Sequence, residues 1–309
     1  MQSFRVHRWI WVFTTFVLWL TRAPAATFRI ASYNLEGYLD IPTETRAAKA
    51  AESKSKIRES ICAMRPDVIA LQEMGSTNAL LELRASLKTD GLDLPYWEHL
   101  PGYDTNIHLA VLSRFPFNER RPHTNDNFLL DGRRFRVSRG FLEVDIQVRS
   151  NYSFTLMTAH LKSKRAVASG DEAEIRLEEA KLLREKIDTR LMANPNLNLV
   201  VLGDFNDTIH APSTRMIVGR YRNKLIDTWP SERNGDSGPS PVADRAVRTV
   251  AWTHYYGQDD TYSRVDFLLL SPGMAREWQT NDTYVLSLPG WGVGSDHRPV
   301  TAAFEAEDQ

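Results

Sequence analysis

Five short islands carry most of the groups in this chain that could do chemistry: Ser32-Tyr33-Asn34-Leu35-Glu36, Ala70-Leu71-Gln72-Glu73, Thr158-Ala159-His160-Leu161-Lys162-Ser163, Gly203-Asp204-Phe205-Asn206 and Ser295-Asp296-His297-Arg298-Pro299-Val300. They offer carboxylate, carboxamide and imidazole, the donors that hard-metal phosphate chemistry uses. A phosphodiester repels hydroxide and departs as a poor alkoxide, and a metal on the phosphoryl oxygen offsets both difficulties. Oxygen donors without a cysteine or histidine cluster suit Mg²⁺ or Mn²⁺ rather than zinc.

Each island sits at the end of, or just before, an apolar run that reads as a strand. Phe28–Asn34 alternates apolar and polar residues. Asp67–Gln72 is a short apolar strand that delivers Glu73. His108–Ser113, Gly140–Val148 and Ser153–Ala159 follow as successive strands, and Asn198–Leu202 ends in Gly203-Asp204. Val265–Leu270, Thr283–Leu288 and Val300–Phe304 complete the set. Helical spacing runs over Arg46–Met64, stopped by Pro66, over Asn78–Lys88, and over Asp171–Met192, whose first turn is acidic. Helices interleave with strands only in part, which excludes a doubly wound parallel sheet. The expected class is α/β (α+β), with two packed, mainly antiparallel sheets flanked by helices.

The islands together resemble the endonuclease/exonuclease/phosphatase superfamily, the DNase I-like fold, over Phe28 to Phe304. A sixth island, Tyr262-Ser263-Arg264-Val265-Asp266-Phe267, holds the acid that this family places before its final Asp-His pair. The resemblance implies a four-layer sandwich with the site at one end of the sheets. It places Asn34 beside the metal, makes Asp204 the carboxylate that orients or deprotonates water, and makes Asn206 the carboxamide on the phosphoryl oxygen.

The residues themselves support these assignments unevenly. Glu73 is an acid at the end of an apolar strand, costly there without a partner; with Asn34 and Asp296 it is an expected metal ligand, and its plain alternative is a surface salt bridge. Asn34 could instead cap a local turn. Asp204 and Asn206 are two apart and share a face if extended, though Gly-Asp-Phe-Asn-Asp is also turn-rich. His297 is a base or, when protonated, a phosphate donor, with Asp266 fixing its tautomer. His160 brings a second imidazole to the phosphate. Arg139, where the family often carries a phosphate-contacting side chain, joins Arg133, Arg134 and Arg136 in a basic cluster that reads as a rim or as a solvated loop. Lys162 extends that rim. Trp291, between glycines, reads as a stacking ring or a packing anchor. His99, His108, His123, His210 and His254 show no ligand spacing and are assigned nothing.

Arg5 and Arg8 precede an apolar stretch Trp9–Leu20 and then Ala23-Pro24-Ala25, the pattern of a cleaved signal peptide over residues 1–26. The stretch is shorter than the roughly 20 residues a bilayer span needs. Residues 27–309 then read as one domain, expected to be a monomer outside the bacterial cytoplasm, secreted or periplasmic. The whole chain is at −1, and the lost segment carries Arg5, Arg8 and Arg22 with no acid, so the remainder is near −4. Nucleic-acid binding would need a local patch. The one cysteine, Cys62, excludes an intrachain disulfide. The reading is a metal-dependent phosphodiesterase, a secreted nuclease acting on DNA. The alternative is a phosphatase or phospholipase-C-like hydrolase acting on a phospholipid head group or sugar phosphate.

Overall fold

The computed structural model describes residues 26–233 and 251–307; the expected export segment and most of the Ser231–Pro241 loop lie outside them. Seventeen strands are present among the described residues. In chain order they are β1 (Thr27–Tyr38), β2 (Val68–Met74), β3 (Tyr96–Leu100), β4 (His108–Ser113), β5 (Phe117–His123), β6 (Asn127–Leu130), β7 (Arg133–Arg136), β8 (Phe141–Arg149) and β9 (Tyr152–His160). Then come β10 (Leu199–Asp204), β11 (Ile226–Asp227), β12 (Ser231–Arg233), β13 (His254–Tyr256), β14 (Thr261–Ser263), β15 (Asp266–Leu270), β16 (Trp278–Leu286) and β17 (Val300–Glu305). The helices are α1 (Ala51–Met64), α2 (Thr77–Thr89), α3 (Glu172–Ala193) and α4 (Pro212–Val218).

Two mixed sheets result, in the orders β12-β16-β17-β1-β2-β4-β3 and β11-β15-β10-β9-β8-β5. Most pairs are antiparallel, but β1–β2, β9–β10 and the short β12–β16 are parallel. The first two matter for the site, because they bring the C-terminal ends of the members of each pair together.

Period-2 alternation sorts the side chains into layers. Phe28, Ile30, Val68, Ala70, Leu156, Val200, Leu202 and Leu268 fill the space between the sheets. The opposite face of the first sheet packs against α1 and α2 through residues such as Tyr33, Ile61, Leu71 and Leu83. That of the second packs against α3 and α4 through residues such as Phe141, Val201, Leu183 and Ile217. Three apolar interfaces define four layers, α/β/β/α. Along the inner layer the character changes with height. Beyond the apolar residues comes a buried polar belt, in which Ser32 Oγ donates to Gln72 Oε1 at 3.3 Å and Gln72 Nε2 to Thr158 Oγ1 at 3.2 Å. One pleat further on stand Asn34, His160 and Asp204.

Three expectations are corrected. The Arg46–Met64 helix starts only at Ala51. Residues before it are extended, because Lys49 N donates to the Leu39 carbonyl and Thr43 N to that of Arg46, and because Lys49 Nζ reaches the Glu36 carbonyl at 2.9 Å. Arg133, Arg134 and Arg136 form no irregular loop. They lie on β7, paired with β6 across Asp131-Gly132, both at positive φ, as a tight hairpin turn requires. The strand expected at Thr283–Leu288 begins earlier, at Trp278.

Candidate active site

Asp204 is the centre of the site. It ends β10, is 1% exposed, and faces across the gap between the sheets. Asn34 Nδ2 donates to its Oδ2 at 2.9 Å from the other sheet, and Asn206 N donates to its Oδ1 at 2.8 Å. His160 Nε2 lies 3.4 Å and His297 Nε2 3.7 Å from the same Oδ2. Gly203 makes the approach possible, since a Cβ there would lie 2.0 Å from the Ala159 carbonyl oxygen. Asn206 sits at φ 53°, and its Nδ2 donates to the Leu161 carbonyl at 2.9 Å, so turn and shared face are both realised.

His297 is fixed from behind. Its Nδ1 is 2.8 Å from Asp266 Oδ2, which opposes Asp204 on the neighbouring strand. Its backbone N–H is held by Ser295 Oγ, which donates in turn to the Asn34 carbonyl. Burial opposes charge on this imidazole, but Asp266, then Asp204 and Asp296, outweigh it and push the pKa up to about 10. His160 goes the other way. Burial, with the charges of Arg139, His297 and Arg46, holds it well below the usual histidine range, so it is neutral. Burial pushes the Asp204 carboxyl up to about 6, aided by Asp266 and opposed by His297 and by hydrogen bonds from Asn206 and Asn34.

Glu73 and Asp296 stand further out. Glu73 sits at φ 57° where the register of β2 shifts, and the resulting bulge turns its carboxylate to the mouth. There Arg46 Nη1 meets Glu73 Oε2 at 2.8 Å. Asp296 Oδ1 is 3.9 Å from His297 Nε2. Glu36 completes a group of three acids. Burial, then the charges of Asp296 and Glu73, raise its carboxyl against the pull of Lys49. Three carboxylates gathered at one mouth suit a hard divalent cation, which would relieve their repulsion with oxygen donors alone. Glu73 and Asp296 are carboxylates that could hold a divalent cation there; Asn34 Oδ1 already accepts the Glu36 N–H at 3.0 Å, and the groups of acids and imidazoles close enough to share one ion among the described residues are Asp204-Asp266-His297 and His254-Asp296-His297.

These groups line a cleft of about 1480 Å³. Its cations are Arg46, Lys49, Lys164 and Arg165. Three expected substrate contacts stand elsewhere. Arg139 is buried behind His160, and its Nη1 donates to the Leu161 carbonyl at 3.2 Å. Lys162 Nζ donates to the carbonyls of Ser163 and Arg165, at 2.9 and 2.7 Å, tying down its own loop. Trp291 packs edge-on against Trp252, 5.3 Å between centroids, in a short 3-10 turn. Packing is the reading the geometry favours for it.

His254 is the residue that sequence reasoning missed. It pairs with His297 through an isolated bridge, its ring 4.5 Å away, and its Nε2 lies 3.6 Å from Asp296 Oδ2. Thr253 holds that segment, accepting the backbone N–H groups of Val265 and Asp266 at 3.1 Å each. The available signal was the alternation Trp252-Thr253-His254 ahead of the Asp266 island.

The Endonuclease/Exonuclease/phosphatase family profile matches residues 31–297, from β1 to His297 itself. The chain belongs to that family. Its members hydrolyse phosphoester bonds, and the four-layer fold is theirs. Similar solved structures include the human Nocturnin catalytic domain with bound sulfate anion, at 16% identity and a TM-score of 0.65, covering 91% of this chain and 95% of that one. An endonuclease/exonuclease/phosphatase from Bacteroides vulgatus matches at 16% identity and 0.63, covering 91% and 100%. Truncated Caenorhabditis elegans TDP2 matches at 16% and 0.60, covering 91% and 98%. No curated protein matches the sequence.

Proposed function

We propose that this chain is a divalent-metal-dependent phosphodiesterase that cleaves nucleic acid, with DNA as its substrate, and that it works outside the cytoplasm once residues 1–26 are removed. The observation that carries the reading is the convergence of Asn34, His160, Asn206 and His297 on the buried Asp204 carboxylate, with Asp266 behind His297. Glu73 and Asp296 would hold Mg²⁺ or Mn²⁺, which when bound neutralises phosphoryl charge and steadies the leaving oxygen.

The protein's own groups divide the remaining work by their charge states. Asp204, raised but still ionised at neutral pH, accepts the proton of the attacking water. His297, held as an imidazolium, donates to a non-bridging phosphoryl oxygen and balances the charge that develops there. His160 is neutral and serves as a hydrogen-bond donor. Asn206 offers its carboxamide beside it. Arg46, Lys49, Lys164 and Arg165 reach the cleft but share it with Glu36, Glu73, Asp204, Asp259 and Asp296, so a bound divalent cation would be needed to make it attractive to phosphate.

The test is cleavage of plasmid, single-stranded DNA, RNA, a phosphomonoester and a choline phospholipid by the purified protein. DNA cleavage with Mg²⁺ or Mn²⁺, abolished by EDTA and poorly restored by Zn²⁺, is the expected result. Cleavage of the monoester or the phospholipid in place of DNA would overturn the nucleic-acid reading, and restoration by zinc alone would overturn the metal assignment.

A further inference from the structure

A second groove, of about 1370 Å³, lies outside the catalytic cleft, between α3, α4, the 3-10 turn Tyr221–Asn223 and β11. From Thr208 to Ile226 the chain carries Arg215, Arg220, Arg222 and Lys224 and no acid. All four cations are exposed, and none makes an ion pair with a described residue. The groove's two acids are neutralised already, Asp188 by Arg184 at 2.5 Å and Asp227 by a bidentate Arg264. A chain near −4 without its first segment therefore displays an uncompensated cationic face here.

Two large rings stand in the same groove. Tyr221 is 91% and Trp229 54% exposed. Both sit at positive φ, 57° and 43°, where bulky residues are uncommon. Strain of this kind persists where something uses the geometry. Trp229 is backed by the Arg264 guanidinium, 4.4 Å from its ring. Cations spaced between exposed rings fit an alternating partner of phosphates and planar bases.

The groove is joined to the catalytic segments at both ends. α4 is anchored by Ser213 Oγ on Asp207 at 3.0 Å, one residue past Asn206. Arg264 precedes Asp266 by two residues. β11 runs antiparallel to β15, so the chain approaches the Asp266 end as it passes from Ile226, opposite Leu270, to Trp229. Four residues of strand separate Leu270 from Asp266, about 13 Å.

We infer that this groove is a strand-binding site for single-stranded nucleic acid, which stacks bases on Tyr221 and Trp229 and sets phosphates against Arg215, Arg220, Arg222 and Lys224. It rests on the nucleic-acid reading of the catalytic cleft for its biological use, though not for its binding chemistry. Exposed rings favour a single strand over a duplex, whose bases are already stacked.

The test is fluorescence anisotropy of a labelled single-stranded oligonucleotide in EDTA, with the full protein and its Arg220→Ser/Tyr221→Ser/Arg222→Ser variant. All three side chains are exposed, so the fold should be untouched, and turnover of a small chromogenic phosphodiester should be unchanged. The Kd is expected to rise about tenfold or more. The slope of log K against log salt is expected to flatten by about 1.4 for two lost phosphate contacts, and Arg→Lys at 220 and 222 is expected to keep it. An unchanged Kd and slope would overturn the inference even if DNA is cleaved. Loss of binding to phosphatidylserine vesicles, with oligonucleotide binding intact, would overturn it in favour of a membrane surface. If the unaltered enzyme cleaves no nucleic acid while the variant still loses oligonucleotide binding, the groove stands and the catalytic reading falls.

Discussion

Two imidazoles of opposite character flank the Asp204 carboxylate, and one charged neighbour separates them. His297 has Asp266 at 2.8 Å; His160 has the Arg139 cation nearby and an Nδ1 without a partner. In metal-free protein, NMR of the ring nitrogens should show His297 titrating near pH 10. Asp266→Asn removes the leading attraction, so that value should fall by a unit or more, while Asp204→Asn should lower it less. A wild-type ring that titrates near 6.5 would refute the imidazolium assignment. Glu73→Gln and Asp204→Asn should each reduce turnover by about 10²-fold or more with little loss of fold; full activity in both variants would remove them from the machinery. At this scale the placement of Asn34, Glu73, His160 and Asp204 was legible because each falls at or towards the end of an apolar strand, and that of His297 because it shortly precedes β17. His254 was not, since its neighbour His297 is distant in sequence and the two meet only through strand-like pairing across the site. Arg139 and Lys162 were read as a rim because sequence shows charge and hides direction, and both turn to backbone carbonyls.

Elements place these residues by two devices, parallel pairing at β1–β2 and β9–β10 and bulges that redirect a side chain. The bulges at Glu36 and Glu73 could not be read from periodicity, which assumes an unbroken pleat. The early start read for α1 failed for a similar reason: Arg46 and Lys49 look helical but are drawn to Glu73 and Glu36 over the cleft. The second sheet carries its own electrostatic clamp. Glu143, buried on β8, receives Arg121 Nε at 2.6 Å, Arg190 Nε of α3 at 2.7 Å and His123 Nε2 at 2.8 Å. Burial alone would raise its carboxyl, but His123 and Arg121, with the charge of Arg190, hold it below the usual range. A depressed carboxyl contributes stability that is complete above its unfolded value of 4.5 and is lost as pH falls through the folded value. Glu143→Gln should therefore cost roughly 3–5 kcal/mol at neutral pH and flatten the acid limb of the stability curve below about pH 4.5. Urea titrations across that range check it; a variant with an unchanged acid limb would contradict the clamp.

Across the whole molecule, the two sheets share one apolar layer that gives way to a polar belt and then to the site, so the ligands of the expected metal come from different parts of the chain. Asn34 belongs to β1, Glu73 to β2 and Asp296 to the approach to β17. The layer plan was legible because helical and alternating patterns are local; the sheet order was not, because it depends on pairings such as β1 with β17, more than two hundred residues apart. A site assembled only on folding binds the native state and not the unfolded chain, so its ligand must raise stability. At a hundred times Kd, Mg²⁺ or Mn²⁺ should contribute about 2.7 kcal/mol. For a domain of this size that corresponds to a rise in Tm of about 5 °C. Glu73→Gln should abolish the rise while leaving the metal-free Tm within about 2 °C, because the Arg46 ion pair it breaks is partly exposed and contributes little. Differential scanning calorimetry with and without EDTA makes the comparison without reference to activity. The same shift in wild type and variant would place the cation elsewhere, and no shift in either would separate this cleft from divalent-metal chemistry.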